Sequence, residues 1–445
     1  MKNSALLDRT EAALAAAKKA GADAADAIAI RSTDISTSIR HGKPESIEQA
    51  ESVGLGLRVF VGQSSATIST SETSAESLAQ IAQQAVAIAR VAPPDAYARL
   101  ADETRLATTI AALEVDAHIP DMVSLQRLAR EAEAAGLGHQ GITNSEGADA
   151  SASRSEVALA TSHGFAGSYA NSRYAISLSL IAGSGADMQR DYDYAYVTHF
   201  ADLPAPETVG HEAAARTLAR MHPRKIASQT APIYFDPRAG RQLLSAFASA
   251  ISGSSITRGT SFLKECLGKP VFGKNIRITD DPLRPRGLGS RAFDAEGVAV
   301  SPMDFVHGGE LKSWLLDTRS ANQLGLATTG HASRGLASAP YPSTSNFYLH
   351  AGEQTPETLM REIGDGFYVT ETIGHGTNLI TGDFSVGASG YWIAGGARAF
   401  PVSEVTIAGN LRELFATLIP ASDLAFRYAT NVPTLAIPHM TIAGN

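Results

Sequence analysis

The sequence predicts an α+β protein in two parts, an N-terminal α/β part and a C-terminal β-rich, barrel-like domain. Three observations lead there. The chain has 445 residues, more than one ordinary core organises, so two domains are the expectation. The order helix, several strands, helix occurs twice before residue 225. After Lys225 the chain becomes rich in Gly, Ser and Pro, with short apolar segments, the pattern of a curved sheet or barrel. The expected division is therefore 1–225 and 226–445.

Residues 5–20 are Ala-rich, with Leu6, Leu7 and Leu14 near helical spacing and Gly21 as a stop. Alternating segments follow at 28–40, 45–52, 53–62 and 63–70, with tight turns at His41-Gly42 and Gly62-Gln63. Thr73-Ser74 caps a second helix whose Leu78, Ile81, Ala82, Ala85 and Ile88 share a face, and Pro93-Pro94 ends it. A helix at 121–135, strands at 141–146, 154–163, 166–182 and 187–200, and a helix at 206–221 repeat that order. An internal duplication and a plain alternation of strands and helices both account for it. In the second part only 238–251, 356–363 and 410–419 read as helical.

Composition excludes several classes. Apolar residues make up 44% and charged residues 18%, a globular rather than disordered balance. A net charge of −8 without any run of Lys and Arg opposes nucleic-acid binding. Cys266 stands alone, so neither an intrachain disulfide nor a cysteine zinc cluster is expected. Asp8, Arg9 and Glu11 interrupt any apolar leader, and no stretch approaches the ~20 apolar residues of a membrane span. The expected compartment is the cytoplasm, with no membrane partner.

Motifs for a self-contained active site fail one by one. His211-Glu212 lacks the second histidine a zinc helix needs, since position 215 is Ala, and reads as a polar helix face. Gly268–Lys274 approaches a phosphate loop, but Asn275 stands where Ser or Thr would hold magnesium and Pro270 removes a backbone donor, so a turn is expected. Asp191 and Asp193 share a strand face and read as a hydrated pair rather than an acid/base dyad. What remains is a set of glycine-rich segments in the second part. They are Arg258-Gly-Thr-Ser261, Gly287-Leu-Gly-Ser-Arg-Ala-Phe-Asp-Ala-Glu-Gly297, Gly374-His-Gly-Thr-Asn378 and Thr381-Gly-Asp-Phe-Ser-Val-Gly-Ala-Ser-Gly-Tyr-Trp392. Glycine permits sharp turns and close backbone approach, which suits main-chain binding of an extended peptide and equally suits hairpin turns and bulges.

The run 381–392, followed by Phe400-Pro-Val402 and Ile407-Ala-Gly-Asn-Leu411, closely resembles the TldD/PmbA (TldE) family. Arg258-Gly-Thr-Ser261, Arg291–Gly297, Gly308–Lys312 and Gly54–Val59 agree with it, so the resemblance spans nearly the whole chain. Members of the TldD kind carry a His-Glu-x-x-x-His helix before the Arg-Gly-Thr-Ser run and a metal-binding cysteine near the C-terminus. Here the helix reads Leu244-Ser-Ala-Phe-Ala-Ser249, and Asn431–His439 holds no cysteine. The resemblance thus implies the metal-free PmbA/TldE subunit of a heterodimeric metallopeptidase that processes or degrades unfolded peptides. It implies no cofactor in this chain, zinc in a TldD-like partner subunit, and no catalytic or metal-binding residue here. The isolated chain is expected to pair with itself through the same surface. Residues expected at the peptide path or the subunit contact are Arg258, Thr260, Ser261, His375, Gly376, Asp383, Phe384, Ser385, Gly387 and Gly390. The alternative, which the family's older names favour, is a stand-alone binding or regulatory protein of the gyrase-modulator kind, without peptidase activity.

Overall fold

The computed structural model describes residues 5–374 and 376–444. The first half builds one antiparallel sheet from β1 (Ala24–Arg40), β2 (Lys43–Val61), β3 (Ser64–Thr70), β4 (Ile142–Thr161), β5 (Ala166–Ala182) and β6 (Gln189–Val197), in the order β3-β2-β1-β4-β5-β6. Helices α1 (Ala5–Ala20), α2 (Ala75–Val91), α3 (Met122–Leu137) and α4 (Pro206–Ala219) accompany it. The helix–strands–helix order is thus present twice, and the two three-strand sets meet at β1–β4, paired antiparallel from Asp26–Thr161 to Ile39–Ala148. Local chemistry fixes the helix starts. The Ser74 and Asp121 side chains accept from Ser77 and Ser124 N–H groups, and Pro206 opens α4.

Two strand expectations need correction. Segments 45–52 and 53–62 form one strand, β2, which runs straight through Gly54 and Gly56. Those glycines admit the second half of the chain: a Cβ on Gly56 would lie 2.1 Å from the Leu336 carbonyl oxygen. Likewise 141–146 and 154–163 are the two ends of β4, whose register shifts between Ile142 and Asn144 and between Ser145 and Gly147. Apolar packing divides along the sheet. Leu6, Leu78, Ala82 and Val86 pack on β1 and β2, while Leu125, Leu128, Val209 and Ala213 pack on β4 and β5.

In the second half, β7 (Gln229–Phe235), β8 (Gly366–Ile373), β9 (Asp383–Ala394), β10 (Ala397–Asn410) and β11 (Leu435–Ala443) close a five-stranded ring, because β10 pairs with both β9 and β11. This is the barrel-like element that the sequence predicts. Helix α5 (Pro237–Ala250) follows β7 and buries Leu243, Leu244 and Phe247 against Ile233, Phe367 and Phe384. On the alternate face Tyr234, Tyr368 and Tyr391 pack with Leu359 and Met360. Two short helices escape the apolar-periodicity reading, α6 (Gly253–Thr257) and α7 (Thr318–Leu324); α8 (Pro356–Ile363) and α9 (Leu411–Thr417) do not. Asp317 caps α7, and Gly325 at φ 66° ends it.

Charge also joins the halves. Asp26 of β1 is fully buried and receives hydrogen bonds from Arg58 of β2 and from Arg334 of the second half. Burial alone would raise its carboxyl, yet the two guanidiniums hold it below the usual carboxylate range. Glu296 lies 3.7 Å from Arg58 and is pushed up to about 7, chiefly by burial.

Candidate functional site

Three of the four glycine-rich segments converge at one end of the ring, while 287–297 packs against Asn346 and Phe165 instead. The Phe262 N–H donates to the Leu379 carbonyl (2.7 Å), and Leu411 N–H to that of Gly382 (2.7 Å), so the 258–262 turn, the β8–β9 hairpin and the start of α9 form one patch. Arg258 is the exposed C-cap of α6, and its guanidinium makes no hydrogen bond or ion pair among the described residues. Thr260 and Ser261 turn inward: the Ser261 hydroxyl donates to the Ala250 carbonyl (2.6 Å) and accepts from Leu263 N–H (3.0 Å), and Thr260 donates to Ser255 (3.3 Å). Both hold the turn instead of facing a ligand.

Within the hairpin, Asp383 accepts from Thr381 (2.6 Å) and Asn410 (3.1 Å), and these bonds hold its carboxyl below its ordinary value. Phe384 is a core residue, 1% exposed, whereas Ser385 is exposed. Gly376 and Gly390 stand where backbones nearly touch: an added Cβ would lie 1.4 Å from the Ser385 carbonyl oxygen and 1.9 Å from that of Tyr368. At Gly387 the nearest atom is 3.5 Å away, so close approach does not explain that glycine. His375 lies outside the described residues. Ile373 and Ile380, 63% and 65% exposed, give the patch an apolar component beside Arg258, Asp383 and Ser385.

The α5 helix does not fit a zinc ion. Leu244 is buried in the apolar core, and the Ser249 hydroxyl is occupied by the Ser245 carbonyl (2.9 Å). Asn431 spends its side chain on the Arg427 and Tyr428 backbones. Among the described residues no three His, Cys, Asp or Glu side chains gather as metal ligands. Two readings of isolated motifs change. His211 is not merely on a polar helix face, since its Nδ1 lies 2.8 Å from His139 Nε2 across the α3–α4 pair. Asp191 is 4% exposed and paired with Arg220 (3.2 Å) and Arg238 (3.0 Å), so it is not a hydrated surface carboxylate. Asp193, half-buried near Arg216, is raised by burial.

Those arginines frame a groove that the motif search did not find. β6 is an edge strand along which Tyr192 stacks on Tyr194 (centroids 5.8 Å apart) and Tyr194 meets Tyr196 edge to face (5.3 Å). Tyr194 meets Tyr428 at 5.7 Å, and the Tyr194 hydroxyl is pushed up to about 12 by burial and by Tyr428. Arg241 over Tyr428 (3.6 Å) and Arg284 over Phe426 (3.2 Å) pin the facing loop. The Tyr192 N–H bonds the Asp191 side chain and its carbonyl accepts from Arg238, so Tyr192 turns its backbone away from β5. The two-residue period turns Tyr194 and Tyr196 the same way; the Tyr194 N–H is taken by the Asp193 carboxyl, and among the described residues no backbone–backbone bond leaves that edge. Cavities of about 410 and 340 Å³ flank it and share Tyr196, Val197 and Phe426. The signal in the sequence was the alternation Tyr192-Asp-Tyr-Ala-Tyr196; its aromatic partners, Phe426 and Tyr428, lie more than two hundred residues away.

Known proteins place this arrangement. Residues 25–89, 110–221 and 228–444 match, in order, family profiles described as PmbA/TldA metallopeptidase domain 1, central domain and C-terminal domain. The chain is 34% identical over 425 residues to Metalloprotease PmbA of Escherichia coli O157:H7, covering 95% of this chain and 92% of that one. It is also 34% identical over 432 residues to a Metalloprotease PmbA homolog of Haemophilus influenzae, covering 96% and 94%. A crystal structure of a putative modulator of DNA gyrase from Bacteroides thetaiotaomicron superposes with a TM-score of 0.91 at 25% identity, covering 98% of each chain. TldE from Thermococcus kodakarensis shares the fold, with a TM-score of 0.84 at 19% identity over 98% of this chain and all of that one. With such identity over nearly its whole length, the chain belongs to the PmbA/TldD metallopeptidase family.

Proposed function

We propose that this chain is the non-metal-binding subunit of a heterodimeric zinc metallopeptidase, a cytoplasmic protein that docks on a TldD-like subunit and walls the chamber in which unfolded peptides are cut. The observation that carries this reading is α5, where a metallopeptidase-family chain presents Leu244, Ser245 and Ser249 in place of a ligand set. Zinc in the partner would supply a Lewis acid and an activated water. This chain's residues hold and enclose. The open β6 edge offers the Tyr194 carbonyl and the Tyr196 main-chain groups to an extended peptide, a binding mode that tolerates many sequences. The Arg258–Ile380–Asp383 patch is the contact with the partner subunit.

The test is metal analysis, light scattering and a peptidase assay on this chain alone and mixed with its TldD-like relative. The expected result is no retained zinc and no hydrolysis alone, with a mixed complex that cleaves unfolded peptides. One zinc per chain surviving dialysis would overturn the metal-free assignment. A chain that never forms a mixed complex would point instead to a stand-alone binding protein.

A further inference from the structure

A cavity of about 560 Å³ belongs neither to the β6 groove nor to the hairpin patch. It opens between Arg99–Arg105, the β4–β5 turn at His163, and α7 with the loop that follows it, so both halves of the chain line it. Much of its polar lining is already engaged. The Asp102 carboxylate accepts the Thr104 N–H (2.9 Å) and hydroxyl (2.6 Å), and Arg99 donates to Asn322 (2.6 Å). Three groups are left over. The exposed Arg105 guanidinium makes no hydrogen bond or ion pair among the described residues, while its backbone carbonyl anchors Ala299 N–H (3.0 Å). The His163 Nδ1 lies 2.9 Å from the Ala101 carbonyl, which can only accept, so Nδ1 carries the hydrogen and Nε2 is an unused acceptor. The Thr318 hydroxyl, in a residue 4% exposed, has no partner.

We infer that this cavity captures the C-terminal end of a peptide: an α-carboxylate, the amide N–H beside it, and an apolar last side chain. A guanidinium fork grips a carboxylate through two parallel hydrogen bonds. The unused imidazole nitrogen accepts the neighbouring amide N–H, a pairing that a simple anion without a donor does not offer. Arg105 and His163 line the same cavity, where the carboxylate of the lining, Asp102, is already engaged by Thr104. Leu100, Ala321 and Leu326 supply the apolar wall. That the captured peptide is substrate or product rests on the proposed function; the carboxylate site itself stands on the cavity alone.

Calorimetric titration of the full chain with acetylglycyl-leucine, with its C-terminal amide, and with inorganic phosphate decides the matter. The free acid is expected to bind, the amide at least tenfold more weakly, and phosphate more weakly than the acid. Arg105→Ala should weaken the acid at least tenfold, and Arg105→Lys should restore part of it, since Arg105 is exposed and its substitution leaves the fold intact. Acid and amide binding alike, no binding of the acid, tighter binding of phosphate, or an unaffected Arg105→Ala would each overturn the inference. If the acid fails while the mixed complex forms and cleaves peptides, only the carboxylate site falls. If the acid binds while no mixed complex forms, the site survives and the subunit reading does not.

Discussion

Replacing Asp26 by Asn probes whether charge, as well as apolar contact, holds the two halves together. The carboxylate is fully buried and compensates Arg58 and Arg334, which are 5% and 8% exposed. Asn is nearly isosteric but neutral, and it donates where both neighbours also donate, leaving two buried guanidiniums short of an acceptor. Arg334 already has Nε and Nη2 without partners, so it has no second acceptor to fall back on. Removing one partner of a buried ion pair costs about 3–5 kcal/mol, and hydrogen bonds to charged groups contribute about 1.5–3 kcal/mol each. Glu296 recovers part of this by approaching Arg58, so a net loss of about 3–4 kcal/mol is expected near neutral pH. Because the Asp26 carboxyl is depressed in the fold, its contribution is present above the unfolded carboxylate value and lost as the pH falls through the folded one. Urea unfolding followed by intrinsic fluorescence reads the loss. Pairing Asp26→Asn with Arg334→Met in a double-mutant cycle isolates the cross-half term, and more than about 1.5 kcal/mol of it should be recovered. Asp26→Asn with wild-type stability, or additive single effects, would refute the argument.

The neighbouring Glu296 should titrate against the fold. Its carboxyl is raised to about 7 from 4.5, so stability is fully present below about 4.5 and declines as pH rises through about 7. Glu296→Gln should flatten that slope, by an amount on the order of 3 kcal/mol between pH 5 and 8; equal slopes in urea titrations would count against it. In the hairpin, Gly376→Ala should destabilise by about 2 kcal/mol or more, because its Cβ collides with the Ser385 carbonyl. Gly387→Val, with its nearest atom 3.5 Å away, should cost less than about 1 kcal/mol in thermal melts, and the reverse order would show the hairpin geometry to be wrong. Ile380→Asp together with Arg258→Ala should weaken the mixed complex at least tenfold in light scattering while leaving the fold of the isolated chain intact by circular dichroism; intact association would move the contact elsewhere.

Helices α1 to α4 were legible, α1 and α2 through apolar spacing with a stop at Gly21 and a cap at Ser74, α3 and α4 through stops near Gly136 and His222-Pro223. Strand ends were harder. Segments 45–52 and 53–62 read as separate strands, but the fold runs through both, and Gly54 and Gly56 make room there for Leu336, a contact nearly three hundred residues away. Helices α6 and α7 bury too few side chains to show a periodicity over five and seven residues. The motif residues of the second half came together as a patch, yet Thr260, Ser261 and Phe384 turn inward. Their chemistry alone does not reveal which way a side chain faces. The tyrosine groove and the Arg105 cavity were invisible for a simpler reason: each is made by segments that only tertiary folding places side by side.

The seam between β1 and β4 has a bearing on how this chain is made. β1 finds β2 through a two-residue turn at His41 and Gly42, both in the left-handed region, so that hairpin is available as soon as it leaves the ribosome. The other side of β1, from Asp26 to Ile39, waits for β4, whose last residue is Thr161. At roughly 5–20 residues per second, those ~120 residues of synthesis leave the edge unpaired for several to some twenty seconds. An unsatisfied ladder of that length is a template for another nascent copy. The first three-stranded unit therefore passes through its most aggregation-prone moment before the second exists, and slower translation between residues 40 and 161 should lower the yield of native protein.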